Sequence, residues 1–378
     1  MTFLSVRQRT VATTSVLGTL YVAGVTGRGA KGCEPAGRVD RARKEPMTRT
    51  PPRPAPADDA ARLASRLRSL TRMRPVQHLA VALVDGGTVA YAGQDANERS
   101  DLEIGSVTKG LVGLLLADAV ERREVSLTTT LGELLDLGGA PASRVTLESL
   151  ATHSSGLPAL PRGLALRGTW EHVRGRNPYA DLGPDAVVGA LRETRVGRAV
   201  PRYSNFGFAC LGLALAAAAG TTFPALLARR VLEPLGMRDT SIPASPAEIR
   251  DGALRGHSGR GAPRAPWTMT GYAPAGGVRS SARDMARLVA ALLDGSAPGT
   301  GALEPRADFQ RGLRIGLAWM TSADRAGHEL TWHNGMTGGF ASIVTLDRAA
   351  GRGAVVLSAS SRIVDDVGRA LLSPETAR

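Results

Sequence analysis

Residues 103–120, "EIGSVTKGLVGLLLADAV", constrain the fold of this 378-residue chain more than any other stretch. From Val107 to Leu116 the run is apolar on nearly every side of a helix. Such a helix has to be enclosed by protein, so the chain must build core on both sides of it. Lys109 stands inside the run. Of the 47 Lys and Arg residues only three are Lys, at 31, 44 and 109. An ammonium at 109 would lose its hydration and face the positive end of the helix dipole, and both effects favour the neutral amine. Ser106 lies three residues earlier, on the same helical face. A neutral Lys can take a proton from a neighbouring hydroxyl, which a guanidinium cannot. The same four residues also fit a capping serine followed by a solvated first-turn lysine.

The pattern around this helix alternates between periods. "DDAARLASRLRSLTRM" repeats Leu63, Leu67 and Leu70 at helical spacing, with Asp58 or Asp59 placed to cap its start. "LAVALVDGGTVAYAG" predicts two strands joined by a hairpin at Asp85-Gly86-Gly87. Between about 110 and 240 the chain reads as helical patches separated by Gly/Pro turns. "SSARDMARLVAALL" opens as a capping box on Ser281 and Asp284. Strand patterns return in "RIGLAWMTS", "ELTWHNG", "FASIVTLD" and "GAVVLSAS", and "IVDDVGRALL" predicts a closing helix. Strands near both ends with helices between predict an α+β fold, its antiparallel sheet built from both termini around a helical insertion.

Composition trims the alternatives. The length suits one large domain with an insertion, or two domains. The net charge of +13 invites a nucleic-acid reading. However, the arginines are scattered and no zinc-finger spacing, RNP-like aromatic pattern or basic helix is present. Ten Lys/Arg against five Asp/Glu fall in residues 1–60, which fits general attraction to anionic surfaces better. Cys33 and Cys210 make no disulfide framework, and Cys210, in "FACLGLALAAAAG", reads as a core residue. Residues 28–57 read as a disordered linker. The stretch 10–27 is too polar to define a signal or a membrane span, and Met47 is an alternative start, so localisation stays open. The domain is expected over 58–378.

Two further stretches bear chemistry. In "PRYSNFGFAC", Tyr203 and Asn205 lead into an apolar helix, although Ser204 or Asn205 acting only as a cap would look the same. In "TWHNGMTGGF", His333 and Asn334 end a strand ahead of Gly335 and Met336. His153, in "THSSGLP", reads as a structural residue at a helix end. His78, His172, His257 and His328 show no ligand spacing, so no metal is expected.

Taken together and in order, "IGSVTK", "YSN" and "HNG" resemble the serine β-lactamase and penicillin-binding-protein superfamily, in particular its class C-like branch of D-alanyl-D-alanine carboxypeptidases, D-amino-acid peptidases and esterases. "LATHSSGLP" and "APAGGVRSSARDMARL" are similar to accessory stretches of that branch, and the resemblance covers most of residues 60–372. It implies a β-lactamase/transpeptidase-like fold, a five-stranded antiparallel sheet flanked by N- and C-terminal helices with a mostly helical insertion. It also implies Ser106 as nucleophile, with Lys109 and Tyr203 sharing the proton transfers. Backbone N–H groups of Ser106 and Met336 would hold the oxyanion, and Asn205 would bond the substrate amide or orient Lys109. His333, Asn334 and Gly335 would line the substrate side. No cofactor is implied, and the partner is a small-molecule or short peptide substrate.

The chain departs from the penicillin-recognising pattern at His333. Many members of the superfamily place a permanently charged lysine there, whereas histidine is mostly neutral at pH 7. An ester, amide or D-amino-acid peptide is therefore expected ahead of efficient β-lactam hydrolysis. A slow-turnover penicillin-binding or sensor protein is the alternative.

Overall fold

The computed structural model describes residues 51–72, 78–161, 163–324 and 327–373. The expectations for the apolar run at 10–27, for Cys33, for Met47 and for the part of the 28–57 linker up to residue 50 lie outside the described residues, whereas its end is ordered, with Arg53–Pro54 paired to Thr88 and Val89 and a helix starting at Ala57.

The large sheet is assembled from both ends of the chain, as the sequence predicts. Its strands are β1 (Arg53–Pro54), β2 (Leu79–Asp85) and β3 (Thr88–Gln94), then β6 (Ala307–Gln310), β7 (Leu313–Ile315), β8 (Met320–Ala323), β9 (Glu329–Met336), β10 (Ala341–Asp347) and β11 (Arg352–Ser358). They lie in the order β1-β3-β2-β11-β10-β9-β8-β7-β6. Two two-residue strands, β4 (Leu102–Glu103) and β5 (Arg279–Ser280), pair separately. The β2–β3 turn is the expected Gly86-Gly87 pair, with Asp85 opposite Thr88.

The sheet thus has nine strands among the described residues rather than the expected five. The five central ones, β3-β2-β11-β10-β9, are seven or eight residues long and carry readable runs of apolar and β-branched residues. The others are two to four residues long, too short for such a run to register. "RIGLAWMTS" does not form one strand. It breaks at a turn in which Ala318 adopts φ 73° and Gly316 N–H bonds Trp319 O at 2.8 Å. There Leu317 and Ala318 donate to Ala302 and Ala151 instead of to a neighbouring strand.

Alternation along the central strands sends side chains to two separate cores. Leu79, Val81, Ile343, Ala354 and Val356 face one core, shared with helix α1 (Ala57–Thr71) and the C-terminal helix Asp365–Leu372. Ala80, Ala82, Val344, Val355 and Leu357 face the other, which holds helix α2 (Val107–Glu121) and the helix Ala282–Leu293. In α2 every residue from Val107 to Ala119 is buried, as a helix apolar all round requires.

Helix starts differ in detail from expectation. Helix α1 begins at Ala57, so Asp58 and Asp59 sit inside its first turn, where their charge suits the helix dipole, and do not cap it. Ser281 caps its helix by accepting from Asp284 N–H, but the Asp284 carboxylate accepts from Asp239 N–H and Thr240 instead of returning the bond. Among the described residues no single helix is long and apolar enough to cross a membrane.

Candidate active site

The site is assembled where the start of α2 meets the end of β9. Ser106 occupies the N-cap position of α2 in helical conformation, φ −66° and ψ −9°, and its side chain caps nothing. Its hydroxyl is left for Lys109, whose Nζ lies 2.9 Å away. Lys109 is fully buried and Nζ also reaches Ala275 O, at 2.5 Å. Burial holds its pKa well below the ordinary lysine value. A neutral amine suits both contacts, since one N–H serves the carbonyl and the lone pair faces the Ser106 hydroxyl. The solvated first-turn lysine is ruled out by this burial.

Two glycines let the strand end touch the serine turn. A Cβ on Gly335 would fall 2.1 Å from Ile104 O and 2.9 Å from Ser106 N. A Cβ on Gly105, at φ +49°, would fall 2.8 Å from Met336 N. The backbones therefore pack at a distance only glycine permits. This brings the N–H groups of Ser106 and Met336 to one place. The Met336 side chain is 39% exposed.

The tyrosine motif enters from the helix Asn205–Ala218. Here Ser204 is the cap, accepting from Gly207 N–H at 2.8 Å, which frees Asn205 from that duty. The Tyr203 phenol lies beside Ser106, and burial raises its pKa above the usual value. Lys109 Nζ stands 4.8 Å from the Tyr203 ring centroid. Asn205 Nδ2 donates to Tyr179 Oη at 3.2 Å, while its buried Oδ1 has no partner among the described residues. Asn205 does not bond Lys109, so of its two expected roles only the substrate-facing one retains an available atom.

The strand motif divides between the two faces of the sheet. His333 pairs with Val344 in the register and faces the α2 side. Its Nδ1 lies 2.7 Å from Asn334 O, so Nδ1 carries the proton and the buried Nε2 holds a free lone pair. Burial lowers its pKa to about 3. Asn334, one residue on, faces the opposite core. Its Nδ2 donates to Asp365 Oδ2 at 2.7 Å. The expectation that Asn334 offers a hydrogen bond to substrate is corrected by strand alternation itself, since neighbours on a strand cannot share a face.

Two groups at the site carry no readable sequence signal: the Ala275 carbonyl acts through its backbone, and Tyr179 lies in a loop. Behind the serine turn Glu103 accepts from Trp267 N–H at 2.9 Å and from Arg279 at 3.1 Å. Arg279 also bonds Asp101 at 2.8 Å, which anchors the strand that leads into Ser106.

Comparison with known proteins places these features in context. The model of the family described as Beta-lactamase matches residues 63–376. The human protein "Putative beta-lactamase-like 1" is 33% identical over 182 residues, 48% of this chain and 34% of that protein. "D-alanyl-D-alanine-carboxypeptidase/endopeptidase AmpH" of Escherichia coli (strain K12) is 31% identical over 161 residues, 40% of this chain and 39% of that protein. The chain thus spans well under half of the length of these two relatives. A solved structure described as "A class C beta-lactamase" superposes with a TM-score of 0.71 at 17% identity, covering 85% of this chain and 98% of that one. At that identity the likeness is one of fold.

Proposed function

From the premise that this chain belongs to the beta-lactamase family of serine hydrolases, we propose that it works through an acyl-enzyme at Ser106, on a small ester, amide or D-amino-acid peptide. The observation that carries the proposal is the buried Lys109 amine, its charge disfavoured by desolvation, at 2.9 Å from the Ser106 hydroxyl. Lys109 accepts the Ser106 proton as Oγ attacks the substrate carbonyl. Tyr203, whose raised pKa keeps it a phenol at rest, has a proton to lend the leaving group and recovers one from the shared hydrogen-bond system. The N–H groups of Ser106 and Met336 stabilise the oxyanion, a contribution of roughly 3–4 kcal/mol per donor in such sites. Water then releases the acyl group by the reverse proton route.

His333 argues for the substrate class. Its free Nε2 is an acceptor, so it complements an N–H or O–H on the substrate and repels a carboxylate. That favours uncharged esters and amides over the carboxylate-bearing penicillins and cephalosporins, although relatives named for β-lactamase activity keep slow β-lactam turnover as the second reading. The test incubates the enzyme and its Ser106→Ala variant with a nitrophenyl ester, a penicillin and a D-Ala-D-Ala peptide, following product and intact mass. Ester turnover that vanishes in the variant supports the proposal. A persistent penicillin adduct with no turnover of the other two supports the sensor, and turnover undiminished in the variant removes Ser106 from the reaction.

A further inference from the structure

His153 holds the backbone on both sides of Tyr203. Its carbonyl accepts from Arg202 N–H at 2.8 Å, and its Nδ1 accepts from Ser204 N–H at 3.1 Å. Its ring packs on the tyrosine between them, centroid to centroid 4.4 Å, and on Phe208 at 4.8 Å. His153 itself adopts φ +56°, a left-handed conformation that a histidine takes only when its surroundings demand it. The residue is 2% exposed. Three contacts from a segment fifty positions earlier thus converge on Tyr203, whose ring lies 4.8 Å from Lys109 Nζ beside Ser106. A histidine serving only the core would have no reason to bond the chain on both sides of one particular side chain.

The chemistry of the ring fits this use. Nδ1 can accept from Ser204 only if the ring proton is on Nε2 and the imidazole is neutral. Burial keeps its pKa well below the ordinary value. The acceptor is therefore present across the working pH range, and the ring adds no positive charge beside the phenol.

We infer that His153 is a positioning residue for Tyr203, fixing the phenol against Ser106 by bonding Arg202 and Ser204 and stacking on the ring between them. The inference rests on the proposed Ser106 acyl-enzyme reading. Two substitutions separate its parts. His153→Asn keeps a side-chain acceptor near the Nδ1 position and tolerates the left-handed backbone, whereas His153→Phe keeps an aromatic ring and loses the acceptor.

The experiment follows Ser106 acylation by a nitrophenyl ester, by intact mass and product release, in the full-length enzyme, alongside melting temperature. Each variant is made in the wild-type and Tyr203→Phe backgrounds. His153→Phe is expected to lower kcat about tenfold or more with KM within threefold, and His153→Asn to stay within threefold of wild type. In the Tyr203→Phe background His153→Phe should cost less than twofold further, because its effect runs through the missing hydroxyl. Equal losses in both backgrounds, or no loss in either, would overturn the inference. A wild-type enzyme that shows no Ser106-dependent acylation would instead overturn the reading of the site beneath it.

Discussion

Lys109 Nζ lies 2.9 Å from Ser106 Oγ on a helix that gives the amine no access to water. In the proposed reaction burial favours the uncharged amine that accepts the serine proton, and so any substitution that keeps the charge should remove the function. Lys109→Arg is expected to lower Ser106 acylation by about 10²–10⁴-fold, the usual range for losing a positioned base. Ser106→Cys should still be acylated, since a thiol needs less help to ionise. Intact-mass kinetics with a nitrophenyl ester checks both. An Arg variant within tenfold of wild type would contradict a proton-accepting role.

Gly335 and Gly105 make a second prediction, because the proposed oxyanion site is built on the contact they permit. Gly335→Ala would drive a methyl group to 2.1 Å from Ile104 O. The strand end and the serine turn must then separate, and kcat should fall by about 10²–10³-fold, comparable to losing one oxyanion donor. Gly189→Ala serves as the control. That glycine lies within the helix Pro184–Glu193 with nothing near its would-be Cβ. It should gain about 0.5–1 kcal/mol of stability with unchanged kcat. Thermal melting and kcat for the two variants decide the matter.

His333 sets a pH prediction. With its folded pKa lowered to about 3, the imidazole gains no charge over the normal assay range. Discrimination against a carboxylate-bearing ester relative to its uncharged analogue should therefore be constant from pH 5 to 8. A change in that ratio near pH 6.5 would show an ordinary, protonatable histidine. The stability consequence has a definite sign. The unfolded chain binds this proton below about pH 6.5 and the folded one only near 3. The stability contribution is thus complete above 6.5 and is lost as pH falls towards 3. His333→Asn should flatten the acid limb of a denaturation series.

The sequence told unequal amounts about these groups. Lys109 was legible because burial of a lysine inside an apolar helix has one strong chemical consequence, and that consequence depends on sequence alone. The five central strands were legible because each is a seven- or eight-residue run rich in apolar and β-branched residues, such as Leu79 to Val84. The outer strands β6 to β8 were not, since segments of three or four residues carry too little period, and since Leu317 and Ala318 spend their donors on Ala302 and Ala151. The Ala275 carbonyl could not be foreseen, because any residue offers one. His153 is visible in the sequence as a structural residue, and the positioning role inferred for it adds to that reading. Its role depends on contacts across fifty residues that no local pattern encodes.

Asn334 gives the prediction that most sharply separates motif from geometry. It sits between two site residues in the chain, yet its amide bonds Asp365 across the other face of the sheet, at the start of the C-terminal helix. Burial pushes the Asp365 carboxyl up to about 6, and the Asn334 amide is among the groups opposing that rise. Removing the amide leaves a buried carboxyl without its donor, a loss of about 1–3 kcal/mol. Asn334→Ala should therefore lower the denaturation midpoint while kcat and KM for the ester stay within twofold. The deficit should be larger at pH 8, where Asp365 is ionised and needs the donor most, than at pH 5. Chemical denaturation at the two pH values, beside steady-state kinetics, tests this directly. An Asn334→Ala enzyme with native stability and a KM raised tenfold would return the side chain to the substrate site, and with it the linear reading of the motif.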